Sequence, residues 1–323
     1  MILFRVAKQM NPSGRRYIIM DNNQQRGMFY AAFSYFIWGI LPIYWKWLSQ
    51  VPSDEILANR VFWSFWFMII LLLASKKSGA FSRTLKEMKA KTKLALTAAS
   101  LLISANWFVY IWAVNSNHMV EASLGYYINP LVSVLLGVFI LKESLSRAQA
   151  VSFVLAAVGV LVLTISYGQF PWISFTLAFS FGLYGLAKKL IKVDSAIGLT
   201  LETMVVAPIA FAYMIYLMAI GKESLFHVSA STDFLLIGAG AATAIPLLFF
   251  AKGAQQIPLY MLGFLQYIAP TLTLLLGIFV YKEPFTGIDF ISFFFIWSAL
   301  LIFTVSRTKW YTNRTVKLQK KSA

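Results

Sequence analysis

Ten apolar stretches, each about the length of a bilayer-crossing helix, run through this chain of 323 residues. A hydrocarbon core of about 30 Å needs about 20 apolar residues in helical form. The stretches fall at 28–48, 55–75, 93–114, 119–142, 147–167, 170–190, 196–220, 231–254, 258–282 and 286–306. They are continuous rather than alternating, and about twice as long as a barrel strand, so helices are predicted. Hydrophobic residues make up 59% of the chain and charged residues 12%, with mean hydropathy +0.71. A water-soluble globule of this size cannot hide so much apolar surface, so most of it must face lipid. The joints at 115–118 and 168–169 are so short that neighbouring helices must run antiparallel in a compact all-α bundle, with no separate soluble domain.

The charges set an orientation. Of the 28 Lys and Arg, 24 lie in the tail before the first span, the joints after every second span, and the C-terminal tail. Only Lys46, Lys222 and Lys282 fall on the other side, and Arg60 lies within a span. By the positive-inside rule both termini are cytoplasmic. The same bias accounts for the net charge of +16. These cations belong against anionic lipid headgroups, so a nucleic-acid partner is not expected. The first 19 residues are polar and basic, and Met20 stands just before Asp21. They lack the apolar core of a secretory signal and read as a tail or an upstream start-site extension.

Catalytic and metal chemistry find little footing. There is no cysteine, and His118 and His227 are too few for a histidine-based metal centre. No Gly-x-x-x-x-Gly-Lys loop is present, so ATP-driven pumping by this chain alone is excluded, and no cofactor is expected. A membrane-embedded enzyme and a non-transporting scaffold stand as the competing classes.

The chain also repeats. Tyr127-Ile128-Asn129-Pro130, Gly137, Phe139 and Lys142-Glu143 recur as Tyr267-Ile268-Ala269-Pro270, Gly277, Phe279 and Lys282-Glu283, at a fixed offset of 140. Ala32-Phe33-Ser34 and Gly39 match Ala178-Phe179-Ser180 and Gly185 at offset 146, and Val51, Ser53 and Leu57 match Val193, Ser195 and Leu199 at offset 142. Residues 28–167 and 170–306 are therefore read as two five-helix repeats, flanked by basic tails at 1–27 and 307–323. Five is odd, so the second copy enters the membrane from the opposite side. Such inverted repeats allow two nearly equal halves to exchange conformation around a midplane site.

Several strings carry a family resemblance: Trp38-Gly39 with Pro42, Glu55-Ile56-Leu57-Ala58-Asn59-Arg60 with Trp63-Ser64, Asn106-Trp107 with the run 111–115, and Glu202-Thr203. The runs 121–130 and 262–270, with Phe295-Ile296-Trp297, complete the series. Together they resemble the RarD group of EamA-type permeases in the drug/metabolite transporter superfamily, over about residues 25–305. The resemblance implies ten helices in two inverted repeats, a bacterial inner-membrane location, and export or exchange of small molecules. The group's naming implies chloramphenicol as a solute. Members of the group also begin near the position of Met20.

Ionisable groups inside a span are costly, on the order of 3 kcal/mol at a helix centre, and are candidates for function. Arg60 and Glu121 lie at similar depth in spans entered from outside and are expected to pair, either locking two helices or gating a substrate. Glu202 is the counterpart of Arg60 at offset 142, with Lys252 its expected partner. Burial raises a carboxylate's pKa and a nearby arginine lowers it, so a pair made in one state and lost in the other gives proton-coupled antiport. Pro42, Pro130, Pro208, Pro246 and Pro270 lie within spans, where each removes a backbone donor and is expected to kink its helix. Trp38, Asn106, Trp107, Tyr126, Tyr127, Asn129, Gln266 and Tyr267 add polar and aromatic surface suited to an amphipathic solute, or else pack in the core or against lipid. Trp45, Trp47, Trp172 and Trp310 stand at span ends and read as interface anchors.

Overall fold

A computed structural model describes residues 22–116, 118–282 and 286–306. The tails at 1–21 and 307–323, Met20 among them, and Glu283 of the repeated Lys-Glu pair lie outside the described residues. Within them the regular structure is all helical: α1 (Asn22–Lys46), α2 (Ser53–Ala74), α3 (Ser78–Glu87), α4 (Ala90–Asn115), α5 (Met119–Phe139), α6 (Arg147–Tyr167), α7 (Trp172–Leu190), α8 (Ser195–Ala219), α9 (Ala230–Gln256), α10 (Leu259–Gln266), α11 (Ile268–Phe279) and α12 (Gly287–Ser306). Each apolar stretch has become helix. Counting α10 and α11 as one, nine described helices are long and apolar enough to cross a membrane. The remaining stretch is α7, whose last turn carries Lys188 and Lys189.

Helix α3 occupies the basic joint after α2 and was not foreseen. It is only 10 residues long, far short of a span. Phe81 and Leu85, one turn apart, are half-buried against the core, while Arg83 and Lys86 are exposed. An apolar stripe with cations opposite is the pattern of a helix lying along a membrane surface.

The helices interlock across the sequence midpoint rather than within each half. Helix α1 packs on α9, and α7 packs on α4. Helix α2 packs on α9, and α8 packs on α4. Helix α5 packs on α7, and α10 and α11 pack on α1. The pairs α2–α8, α5–α10 and α6–α12 complete the scheme. Exchanging the first five long helices for the second five leaves this scheme unchanged. The backbone repeats locally too: Lys142 and Lys282, 140 positions apart, both adopt the left-handed conformation, with φ of 56° and 58°.

Pro42, Pro130, Pro208 and Pro246 sit inside helices that run on without a break. Pro270 alone is associated with an interruption, between α10 and α11 at Tyr267. It falls in the first turn of α11, where a missing N–H removes no intrahelical bond. So of the five expected kink positions, only this one divides its span.

Helix pairs in lipid gain little from hydrophobic burial and depend on close packing and polar contacts. The α2–α9 crossing is the tightest case. A Cβ on Gly240 would stand 2.3 Å from the Trp63 carbonyl carbon. Ser64, one residue on, donates its hydroxyl to the Gly240 carbonyl at 3.0 Å. Replacing Gly240 with Val is expected to destabilise the bundle by about 1–3 kcal/mol through overpacking. Gly79→Val serves as the control, since its Cβ would meet nothing within 4 Å. Equal thermal unfolding of the two variants would show that the crossing is looser than described.

Candidate substrate pathway

The α2–α9 crossing brings Arg60 of α2 against α9. Its Nε donates to Thr243 Oγ1 of α9 at 3.1 Å. The guanidinium lies 4.5 Å from the ring centroid of Trp45 on α1 and 5.2 Å from that of Trp107 on α4. Both distances are within the range of cation–π attraction. Tyr110 and Tyr126, whose rings meet edge-on at 5.5 Å, lie close enough to act electrostatically on the guanidinium. The side chain is half-buried.

Trp107 also faces a second environment. With Val61, Ser64, Ile103, Ser104, Tyr184, Leu199, Glu202, Thr203, Val206 and Leu247 it lines a cavity of about 20 Å³. That is room for about one water, whereas a drug-sized ligand needs about 300 Å³ or more. The Ser104 hydroxyl has no hydrogen-bond partner among the described residues. Glu202, on α8, accepts from Lys188 Nζ of α7 at 2.7 Å and from the Tyr184 hydroxyl at 3.3 Å. All three side chains are buried. Tyr184 stacks on Phe250 at 5.7 Å, and Trp38 touches both Phe250 and Phe181, so an aromatic path joins Trp38 to the Glu202 site.

Two expected ion pairs are corrected. Arg60 and Glu121 do not pair: the guanidinium is met by Thr243 and two indoles, and Glu121 is committed to the start of α7. It accepts from the Ile173 backbone N–H at 3.1 Å and from the Tyr167 hydroxyl at 2.6 Å, with His118 Nδ1 at 3.6 Å. The first turn of a helix has free N–H groups, and a carboxylate on them is stabilised by hydrogen bonding and by the helix dipole. Glu202 pairs with Lys188, not Lys252, which lies 5.6 Å and 5.4 Å from the ring centroids of Tyr30 and Phe249. Lys188 is buried, so it does not belong with the headgroup-facing cations. Trp45 covers Arg60 and is no simple interface anchor.

The other sequence candidates form a seam or a tie. Asn106 donates to the Leu177 carbonyl at 2.8 Å and to Ser180 Oγ at 2.9 Å, fastening α4 to α7. Tyr127 donates to the Pro270 carbonyl at 3.4 Å, and Tyr267 to the Tyr127 carbonyl at 3.3 Å. Gln266 accepts from Ser133 at 3.2 Å. Asn129 is buried, and its Oδ1 has no partner among the described residues. Tyr127, Asn129, Gln266 and Tyr267 belong to the seam of α5 with α10 and α11. Of the candidates, Arg60, Trp107, Tyr126 and Glu202 converge, with Trp38 joined through the aromatics.

Sequence reasoning missed Glu55, Lys188, Glu143, Trp45, Tyr110 and Thr243. Glu55 accepts from Ser224 N at 2.6 Å, Ser224 Oγ at 2.7 Å and Leu225 N at 3.3 Å, pinning the loop after α8 onto α2. Glu143 accepts from Leu259 N at 2.8 Å and Tyr260 N at 2.9 Å, capping α10, with Lys189 at 3.8 Å. The available signal for Lys188 was its spacing from Tyr184, four residues along the same helix face. Thr243 carried no signal, being one hydroxyl in an apolar run.

Residues 25–165 match the EamA-like transporter family. The chain is 51% identical to the uncharacterized transporter YojE of Bacillus subtilis, over 88% of this chain and 96% of that one. It is 45% identical to Protein RarD of Salmonella typhi, over 91% of this chain and 99% of that one. The chain belongs to the RarD group of EamA-like transporters. A crystal structure of another chain, 18% identical, superposes with a TM-score of 0.67 over 88% of this chain and 99% of that one, which bears on the fold alone. With nine apolar helices capable of spanning among the described residues, this RarD-group chain is a multi-pass transporter of the bacterial inner membrane.

The Lys188–Glu202 pair gives a stability test. Removing one partner of a buried pair leaves an uncompensated charge and costs about 3–5 kcal/mol, while replacing both with apolar groups of similar size is near neutral. Lys188→Met is expected to lower thermal stability strongly, and the double variant Lys188→Met/Glu202→Leu to recover most of it. A double variant no more stable than Lys188→Met would show that the pair is not coupled.

Proposed function

We propose that this transporter is a secondary-active permease that exports or exchanges small amphipathic solutes by alternating access. The carrying observation is the arrangement around Trp107. Arg60 and Glu202, counterparts at offset 142, carry opposite charges on α2 and α8, and Trp107 contacts the first while lining the cavity of the second. Two features support the reading. The packing scheme is unchanged when the halves are exchanged, as a ten-helix inverted duplication requires. The cavity at Glu202 is too small for a solute, so passage needs a second arrangement of the same helices.

In this reading Trp107 partitions an outer compartment, headed by Arg60, from an inner one headed by Glu202. Both termini are cytoplasmic. The driving force is a gradient or an exchanged solute, since the sequence has no Gly-x-x-x-x-Gly-Lys loop for ATP. Proton coupling falls to Glu202, because Glu121 is held by a helix start. Protonating Glu202 would release Lys188 and Tyr184 together, loosening α7 from α8.

In sealed vesicles the purified protein is expected to equilibrate chloramphenicol or another amphipathic solute. Trp107→Ala should slow this several-fold, while Trp47→Ala, at an exposed position, should not. No flux of any solute that binds the purified protein would reject transport. Under an imposed pH gradient, Glu202→Gln should keep equilibration and lose uphill accumulation. Accumulation equal to wild type would remove Glu202 from coupling. A reporter fused after residue 306 is expected to be active only in the cytoplasm, and activity outside would overturn the orientation.

A further inference from the structure

Resting on the permease reading and narrowing its substrate, we propose that the Arg60 cluster is a recognition site for an organic carboxylate carried on a flat apolar body. The charge at half-buried Arg60 is held unlike that of the buried Lys188. Lys188 has a carboxylate at 2.7 Å. Arg60 has one hydroxyl, on Nε, and two indole rings. Among the described residues no carboxylate pairs with it, and no hydrogen bond from its two terminal Nη groups is found.

Those Nη groups form one edge of a planar fork that matches a carboxylate with two parallel hydrogen bonds. Thr243 occupies Nε and so fixes the fork's orientation while leaving that edge free. A carboxylate meeting the fork in its plane brings the group it carries alongside Trp45 and Trp107. Indole faces favour flat aromatic partners by offset stacking. Tyr110 and Tyr126 lie beside the same guanidinium and are hydrogen-bonded to each other, Tyr126 donating, which leaves the Tyr110 hydroxyl proton available to an acceptor. A cationic solute would be repelled here. A neutral solute would gain the aromatic surface but not the fork. A small inorganic anion would gain the fork but not the aromatic surface.

The test is equilibrium binding to the purified full-length protein in detergent, comparing phenylacetate with phenylacetamide, its neutral isostere. Wild type should bind the acid about ten- to hundredfold more tightly, the range for hydrogen bonds to a charged group. Arg60→Gln should lose this preference and keep its affinity for the amide, and Arg60→Lys should retain part of the preference. Lys222→Gln, an exposed cation elsewhere, should leave it unchanged. Equal binding of acid and amide by wild type would overturn the proposal, and so would the absence of saturable phenylacetate binding; neither result depends on a variant folding. A preference that survives in Arg60→Gln would overturn it as well. The two readings fail separately. Acid preference without flux in vesicles keeps the site and rejects the permease, while flux of neutral solutes without acid preference keeps the permease and rejects the site.

Discussion

Backbone polar groups inside a bilayer have no water to turn to, and the rest of this structure follows from how they are satisfied. Helices meet the requirement within each span. At their ends and interruptions the requirement falls on side chains. Three glutamates accept from backbone N–H groups of the other half: Glu55 at the loop after α8, Glu121 at the start of α7, and Glu143 at the start of α10. Each joins an element of the first half to one of the second. The bundle is therefore tied across its midpoint by acids serving the backbone. Glu202 stands apart, because its partners are the side chains of Lys188 and Tyr184.

That division marks Glu202 off from the glutamates that serve the backbone. A carboxylate saturated by N–H donors has a fixed task, and moving it would expose the helix start it caps. A carboxylate held by a lysine and a tyrosine can exchange partners without unsatisfying the backbone. The same contrast holds for the cations. Lys189 donates to the Ile257 carbonyl at 2.5 Å, at the junction of α9 and α10, and so supports the frame. Arg60 is held by aromatic faces and one hydroxyl, which keeps its fork oriented without neutralising it.

Much of the fold was legible because helical spans declare themselves by length and apolarity. All ten stretches became helix, with ends displaced by a few residues. Helix α3 was passed over because its signal is a short amphipathic spacing rather than a long apolar run. The break at Tyr267 was only half-legible: Pro270 marked the region, yet its counterpart Pro130 lies within an unbroken α5. A proline's missing donor ends a helix only where the neighbours let the chain restart, and that is not written locally. The repeat at offset 140 was legible in residue types and is matched by the shared left-handed backbone at Lys142 and Lys282.

The pairings were not legible. Depth along a span suggested Arg60 with Glu121, but two residues at equal depth can face different neighbours, and helix rotation decides which. Glu121 turned to α6 and α7, and Arg60 to α1, α4 and α9. Likewise Lys188, which looked like one more cation in a basic joint, lies far enough inside α7 to reach Glu202. The sequence by itself determined that this chain is helical and membrane-spanning, and it carries a recurring residue pattern at offset 140, because hydrophobicity, helical length and repetition are properties of successive residues. Only the tertiary structure decided which charges meet, because helix packing depends on rotation and close approach, and here Gly240 lets α9 come close to Trp63 of α2 while Thr243, a turn further on, receives Arg60.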